Sequence, residues 1–229
     1  MGKKVGLNEF LQRLEEEVKA SDVLGLRYVV RLDGETKRMS EKGALLETIK
    51  QKALTCQLCE LSKTRKNVVF GEGNSEAEIM FIGEAPGYNE DVQGRPFVGD
   101  AGKLLDKILA AMGFDRSDVY IANIIKCRPP NNRAPLPEEI MCCYPHLLRQ
   151  IEIIQPKVIV PLGYVAAKTL LKTKDSMSAI RGKFFSFSNI PVLPTFHPAY
   201  LLRNPADKKK VWEDMQKLLE FLKTGKTES

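Results

Sequence analysis

The chain has 229 residues, 43% hydrophobic and 28% charged, enough apolar material for a buried core and too much for a disordered tail. Thirty-five Lys and Arg against 29 Asp and Glu leave a formal charge of +6, a balance compatible with a polyanionic partner. No run of roughly 18 apolar residues is present and the first residues lack the apolar core of a secretory leader, so neither a membrane span nor export is expected, and the chain reads as a cytoplasmic globular protein.

In chain order, residues 7–20 place Leu7, Phe10, Leu11, Leu14 and Val18 at helical spacing with acids on the other face. Residues 26–32 read as a short strand closed by the Asp33-Gly34 turn. Residues 35–43 are charged and poor in apolar side chains, so 1–43 is expected to be an N-terminal extension, with no motif that points to a function. From residue 44 the pattern becomes regular. A helix over 44–54 runs into Cys56-x2-Cys59, a buried strand is expected over 78–83, a helix over 101–112 and a second strand over 119–125. Pro137 opens a helix to 154, with acids in its first turn. A strand over 157–163, a helix through 171, a strand near 192–196 and a C-terminal helix from about 206 complete the series. Near-continuously apolar strands alternating with helices argue for an α/β fold in three αβα layers, with a central, mostly parallel sheet of four strands. Ligands of such sheets gather beyond the carboxyl ends of the strands, so chemistry is expected in the loops that follow them.

Those loops are distinctive. Gly83-Glu84-Ala85-Pro86-Gly87 leads to Asn89, Glu90 and Asp91, and a second glycine-rich stretch, Gly94 to Gly102, contains Phe97. Its glycines let backbone approach a ligand closely. Asn123 ends an apolar strand and needs a partner for its amide, either a structural bond or a ligand. After the last strand stands His197-Pro198-Ala199-Tyr200-Leu201-Leu202-Arg203, read as a Pro-bounded loop whose leucines would wedge into a base stack while the cation meets a phosphate. The other histidine, His146, has no comparable context. Cys56, Cys59, Cys127, Cys142 and Cys143 read as ligands or free thiols, since a reducing compartment disfavours disulfides. They lie far apart along the chain, so a shared site must be assembled by the fold.

Four of these motifs in order (Gly83-Glu84-Ala85-Pro86-Gly87; Pro96-Phe97-Val98-Gly99-x-Ala101-Gly102; Asn123-Ile124-Ile125-Lys126-Cys127-Arg128-Pro129-Pro130; His197 to Arg203), interleaved with the cysteines, resemble family 4, the iron–sulfur branch, of the uracil-DNA glycosylase superfamily over about residues 44–223. The resemblance implies a glycosylase domain over 44–229. It implies a monomeric, monofunctional enzyme that flips uracil out of single- or double-stranded DNA and hydrolyses its N-glycosidic bond in base excision repair. It further implies a structural [4Fe–4S] cluster on Cys56, Cys59, Cys127 and Cys143; Cys143 is preferred to Cys142 because of Pro145 two residues on. Four thiolates would also hold zinc, which spacing alone does not separate.

The same resemblance assigns the uracil pocket to Gly83, Ala85, Glu90, Phe97, Asn123 and His197. Phe97 would stack on the base, the Asn123 amide would face O4 and N3–H, and His197 would donate to O2. Glu90 would press against C5, where other branches carry a bulky aromatic and this chain has Gly87. Leu201, with Leu202, would fill the stack and Arg203 would meet a phosphate. Related branches position water with an Asp one residue beyond Glu84; here that residue is Ala85, which leaves Glu84, Asn89 and Asp91, with Glu84 preferred. The alternatives are a broader deaminated-base glycosylase, which would lack an acid at Glu84, and a non-catalytic DNA-binding module of the kind attached to phage polymerases. A covalent uracil-trapping relative would carry a basic insertion after Gly99; here Asp100-Ala101-Gly102 follows directly.

Overall fold

The computed structural model describes residues 27–30 and 36–227; the helix expected over 7–20 lies outside them. The chain divides into two compact units between Thr48 and Ile49. In the first, β1 (Arg27–Val30) and β2 (Thr36–Met39) pair antiparallel, from Arg27↔Met39 to Val30↔Thr36. Helix α1 (Glu41–Leu54) crosses the division in sequence.

The second unit is built on one sheet. Its strands are β3 (Glu72–Gly73), β4 (Ile79–Gly83), β5 (Tyr120–Asn123), β6 (Val158–Pro161), β7 (Phe185–Phe187) and β8 (Ile190–Val192), in the order β3-β5-β4-β6-β8-β7. The inner four are parallel, as expected, and the β8 ladder continues beyond its last residue, the Leu193 and Thr195 N–H groups donating to Ile159 and Pro161. The sheet is larger than the four strands expected, because β3 and β7 are added antiparallel at its edges. Strands of two and three residues are too short to show an alternation in sequence. The β7–β8 hairpin turns on Ser188 and Asn189, with φ of 49° and 65°, as a two-residue turn of matching twist requires.

The remaining helices are α2 (Tyr88–Gln93), α3 (Asp100–Met112), α4 (Pro137–Ile154), α5 (Tyr164–Leu171), α6 (Met177–Ile180), α7 (Pro198–Arg203) and α8 (Lys208–Thr224). Strand side chains alternate between faces. Ile79, Phe81, Ile121, Val158 and Val160 join Leu105, Leu109, Val211, Met215 and Leu218 of α3 and α8 in one core cluster. On the other face Tyr120 meets α4, its hydroxyl accepting from Gln150 Nε2 at 3.0 Å, and α5 packs beside β4 and β6. Three layers result, and the carboxyl ends of β4, β5 and β8 open on the same side.

Candidate active site

At those carboxyl ends lies a cleft of about 490 Å³. Gly83 and Asn123, the last residues of β4 and β5, are paired across the sheet. Asn123 is 2% exposed, and its Oδ1 has no hydrogen-bond partner among the described residues. A buried amide oxygen left unpaired is costly unless a ligand supplies the donor. Gly83 makes room for it: a Cβ there would collide with Asn123 Oδ1 and come within 2.6 Å of Phe97 Cζ.

Phe97 is buried with φ of 51°, a left-handed conformation that costs a non-glycine residue on the order of 1–3 kcal/mol. The turn is clamped from two sides. Arg116 donates to the carbonyls of Pro96 (2.6 Å) and Phe97 (3.1 Å), and its guanidinium pairs with Glu72 and Asp106. Glu90 Oε1 accepts from the Val98 and Gly99 N–H groups, each at 2.9 Å, while Oε2 accepts from Gly87 N–H at 3.1 Å. Glu90 thus ties the two glycine-rich loops together and lines the cleft.

Glu84 also lines the cleft. It is half-buried, forms no side-chain hydrogen bond or ion pair among the described residues, and burial holds its carboxyl above the usual range. Of the other two acidic or amide candidates, Asp91 is buried away from the cleft, Oδ1 accepting from the Lys66 (2.9 Å) and Asn67 (3.3 Å) N–H groups. Asn89 is exposed and does not line it. Ala85 does.

His197 caps α7. Its Nδ1 accepts from the Ala199 N–H at 3.0 Å, which fixes the neutral tautomer with the proton on Nε2. Burial first, and then the Arg203 charge, pull its pKa down to about 4 against an opposing pull from Glu90. The ring stacks on Phe97 with centroids 5.5 Å apart. Gly163, with φ of 87°, passes so close behind that a Cβ would stand 2.9 Å from His197 Cβ.

The segment after His197 is a helix rather than the loop expected. Pro198 suits its first turn, and the helical step separates adjacent side chains by about 100°. Leu201 therefore points into the core at 1% exposure, and Leu202 points out at 46%. This corrects the assignment of Leu201 as wedge: of the pair, only Leu202 is presented to a partner. Arg203 is exposed and lines the cleft. Tyr200, Asn132 and Arg133 line it too; the last two sit in a loop whose only sequence signal was its paired asparagines.

A second centre lies behind β5. Cys56, Cys59, Cys127, Cys142 and Cys143 line one small chamber together with Arg65, Lys126 and His146. None of the five forms a disulfide. Burial pushes the Cys143 thiol up to about 12 and raises Cys127. Donors face these sulfurs: the Lys126 N–H reaches Cys143 Sγ at 3.1 Å, and Arg65 Nη1 reaches Cys127 Sγ at 3.3 Å. Sulfurs gathered with donors aimed at them suit thiolate ligands. A single zinc ion would draw four sulfurs to within about 4 Å of one another. Among the described residues no three Cys, His, Asp or Glu are gathered as one metal ion requires. The Lys126 ammonium is 1% exposed and links the two centres, donating to the Asn123 carbonyl (2.9 Å) and to Gln150 Oε1 (2.6 Å).

Residues 70–216 match the model of the uracil DNA glycosylase superfamily, which defines the class of protein to which this fold and cleft belong. A type-4 uracil-DNA glycosylase of Saccharolobus solfataricus is 50% identical over 186 residues, covering 77% of this chain and 86% of that one. One from Thermotoga maritima is 47% identical, covering 81% and 98%. A DNA polymerase of Bacillus phage SP01 is 34% identical over 69% of this chain but only 17% of its own. The chain belongs to the type-4 uracil-DNA glycosylases.

Proposed function

We propose that this chain hydrolyses the N-glycosidic bond of deoxyuridine in single- and double-stranded DNA, leaving an abasic site for base excision repair, and that it acts as a monomer in the cytoplasm. The observation that carries the reading is the unpaired, buried Asn123 Oδ1 in the cleft that Phe97 and His197 also line. An amide in that place can accept from uracil N3–H and donate to O4, a pattern that cytosine inverts. Phe97 stacks on the flipped base, an interaction worth about 1–3 kcal/mol. The His197 Nε2–H is a fixed, neutral donor for O2 as negative charge develops on the leaving base. Glu84, desolvated and unpartnered, holds the attacking water. Glu90, set by three backbone N–H groups, faces C5 and selects against thymine. Leu202 replaces the flipped base in the stack, and Arg203 meets a phosphate.

Cys56, Cys59, Cys127 and Cys143 are the proposed ligands of a [4Fe–4S] cluster. Bound there, the cluster supplies a rigid tie rather than reaction chemistry.

A single-turnover assay on uracil-containing oligonucleotides, single- and double-stranded, tests the reading. Release of free uracil is expected, and strongly reduced release from Asn123→Asp. Binding without release would return the chain to the DNA-binding module class, and release of hypoxanthine or xanthine at comparable rates would make it a broader glycosylase.

A further inference from the structure

Three side chains that the uracil pocket does not use meet at its rim. Tyr88, the first residue of α2, is 53% exposed. The Lys66 ammonium lies 5.4 Å from its ring centroid and the Arg128 guanidinium 5.2 Å from it. The three come from separate segments: the stretch before β3, the start of α2 and the loop after β5. Such convergence is built rather than incidental. Arg128 is oriented by donation from Nε to Asn132 Oδ1 at 2.6 Å. Asn131 and Asn132 both hold left-handed backbone, φ 55° and 54°, which residues with a Cβ seldom adopt.

Neither Lys66 nor Arg128 forms an ion pair among the described residues. Two like charges drawn to one ring without a carboxylate between them are suited to an anion that arrives from outside. Their chain neighbours place them: Gly87, beside Tyr88, and Pro129, beside Arg128, line the uracil cleft. Along the sheet order β5-β4-β6-β8 the cluster stands at the β5–β4 end. Arg203, likewise without an ion pair among the described residues, follows β8 at the other end. A strand whose nucleotide enters the cleft meets positive charge on both sides of it.

We propose that Lys66, Tyr88 and Arg128 form a subsite for the DNA strand leaving the uracil pocket, each cation taking one backbone phosphate while the Tyr88 ring holds both cations in place. The inference rests on the glycosylase reading for its substrate, yet it concerns strand binding and is measurable without base release. Fluorescence anisotropy of a labelled, uracil-free dT 15-mer, titrated across 50–300 mM NaCl, is the direct test. Lys66→Gln and Arg128→Gln, which keep side-chain length, are each expected to make the slope of log affinity against log salt shallower by about 0.7, the loss of one single-strand phosphate contact. Tyr88→Ala is expected to flatten the slope as well, and Tyr88→Phe to retain it. On a uracil 15-mer, the two Gln variants should raise KM several-fold and leave the maximal single-turnover rate constant unaltered. Slopes equal to wild type in both Gln variants would overturn the subsite. Shallower slopes in the Gln variants, alongside a wild type that releases no uracil, would overturn the glycosylase reading and leave the subsite standing.

Discussion

Single atoms decide the chemistry of the cleft. Asn123 Oδ1 is unpaired, so Asn123→Asp changes what the amide nitrogen offers O4 without freeing space, and excision should fall by about 10²–10³-fold, the cost of losing one aimed donor. Circular dichroism should report an unaltered fold. Burial shifts Glu84 and His197 in opposite directions. The Glu84 carboxyl is held high by burial, so it binds a proton more tightly in the native state than unfolded; its contribution to stability is present at low pH and lost as pH rises through the raised value. Glu84→Gln is therefore expected to raise Tm at pH 7.5 while lowering the single-turnover rate about 10²-fold. The wild-type rate should decline on the acid side with a midpoint above that of an ordinary glutamate, and Glu84→Gln should lose that limb. His197, held down to about 4, stays a neutral donor throughout, so its own protonation sets in only below the Glu84 limb. A rate that followed a group near 6.5 would show instead that the imidazole is not desolvated in the working enzyme. Asn123 and His197 were legible because each is a polar residue at the end of an apolar strand. What depends on tertiary approach, and left no local mark, is the contact of Gly83 with Asn123 and Phe97 and of Gly163 with His197.

At the scale of elements, a helix of six residues reverses one assignment. Residues 198–203 read as loop because two prolines bound them, yet the turn of α7 sends Leu201 to the core and Leu202 outward. Leu201→Ala should destabilise the fold by about 2–5 kcal/mol in urea unfolding, as for other buried leucines. Leu202→Ala should leave stability nearly unchanged and slow excision from U·A pairs more than from U·G mismatches or single strands, where the base is already poorly stacked. Equal slowing on all three would remove Leu202 from the stack. The start of α4 behaves differently, for its sequence signals were explicit. Glu139 accepts from the Leu136 N–H at 2.8 Å and pairs with Arg133 at 2.6 Å, so Pro137 begins the helix where expected. That start sets the register of Cys142 and Cys143. Cys143→Ser should abolish iron content, expected at about four per anaerobically purified chain, whereas Cys142→Ser should retain it. Iron lost only from the Cys142 variant would move the ligand by one residue.

Across the whole molecule, the parallel strands and their crossover helices were readable because strands buried on both faces are continuously apolar, as 79–82 and 158–160 are. The edges were not. Glu72-Gly73 contributes two residues, and Gly73 is forced by contact, since a Cβ there would run into the Val119 carbonyl. Spacing alone could list the five cysteines, and only the resemblance joined four of them, because the walls of their chamber come from the segment after α1, the loop after β5 and α4.

Those two edge strands bear on how the molecule behaves in a crowded cell. A six-stranded sheet with a long free margin would offer its unpaired N–H and C=O groups to any extended chain nearby. Here one margin ends after two residues, with the exposed Arg95 beside it on Glu72. The other is a three-residue hairpin strand with α5 packed next to it. Neither is long enough to template a neighbour, so heating below the unfolding transition should give no thioflavin-positive fibres and no growth in light scattering. The apolar parallel strands that make the sheet stable are sealed at the centre, and self-association through β-addition has no purchase at the rims.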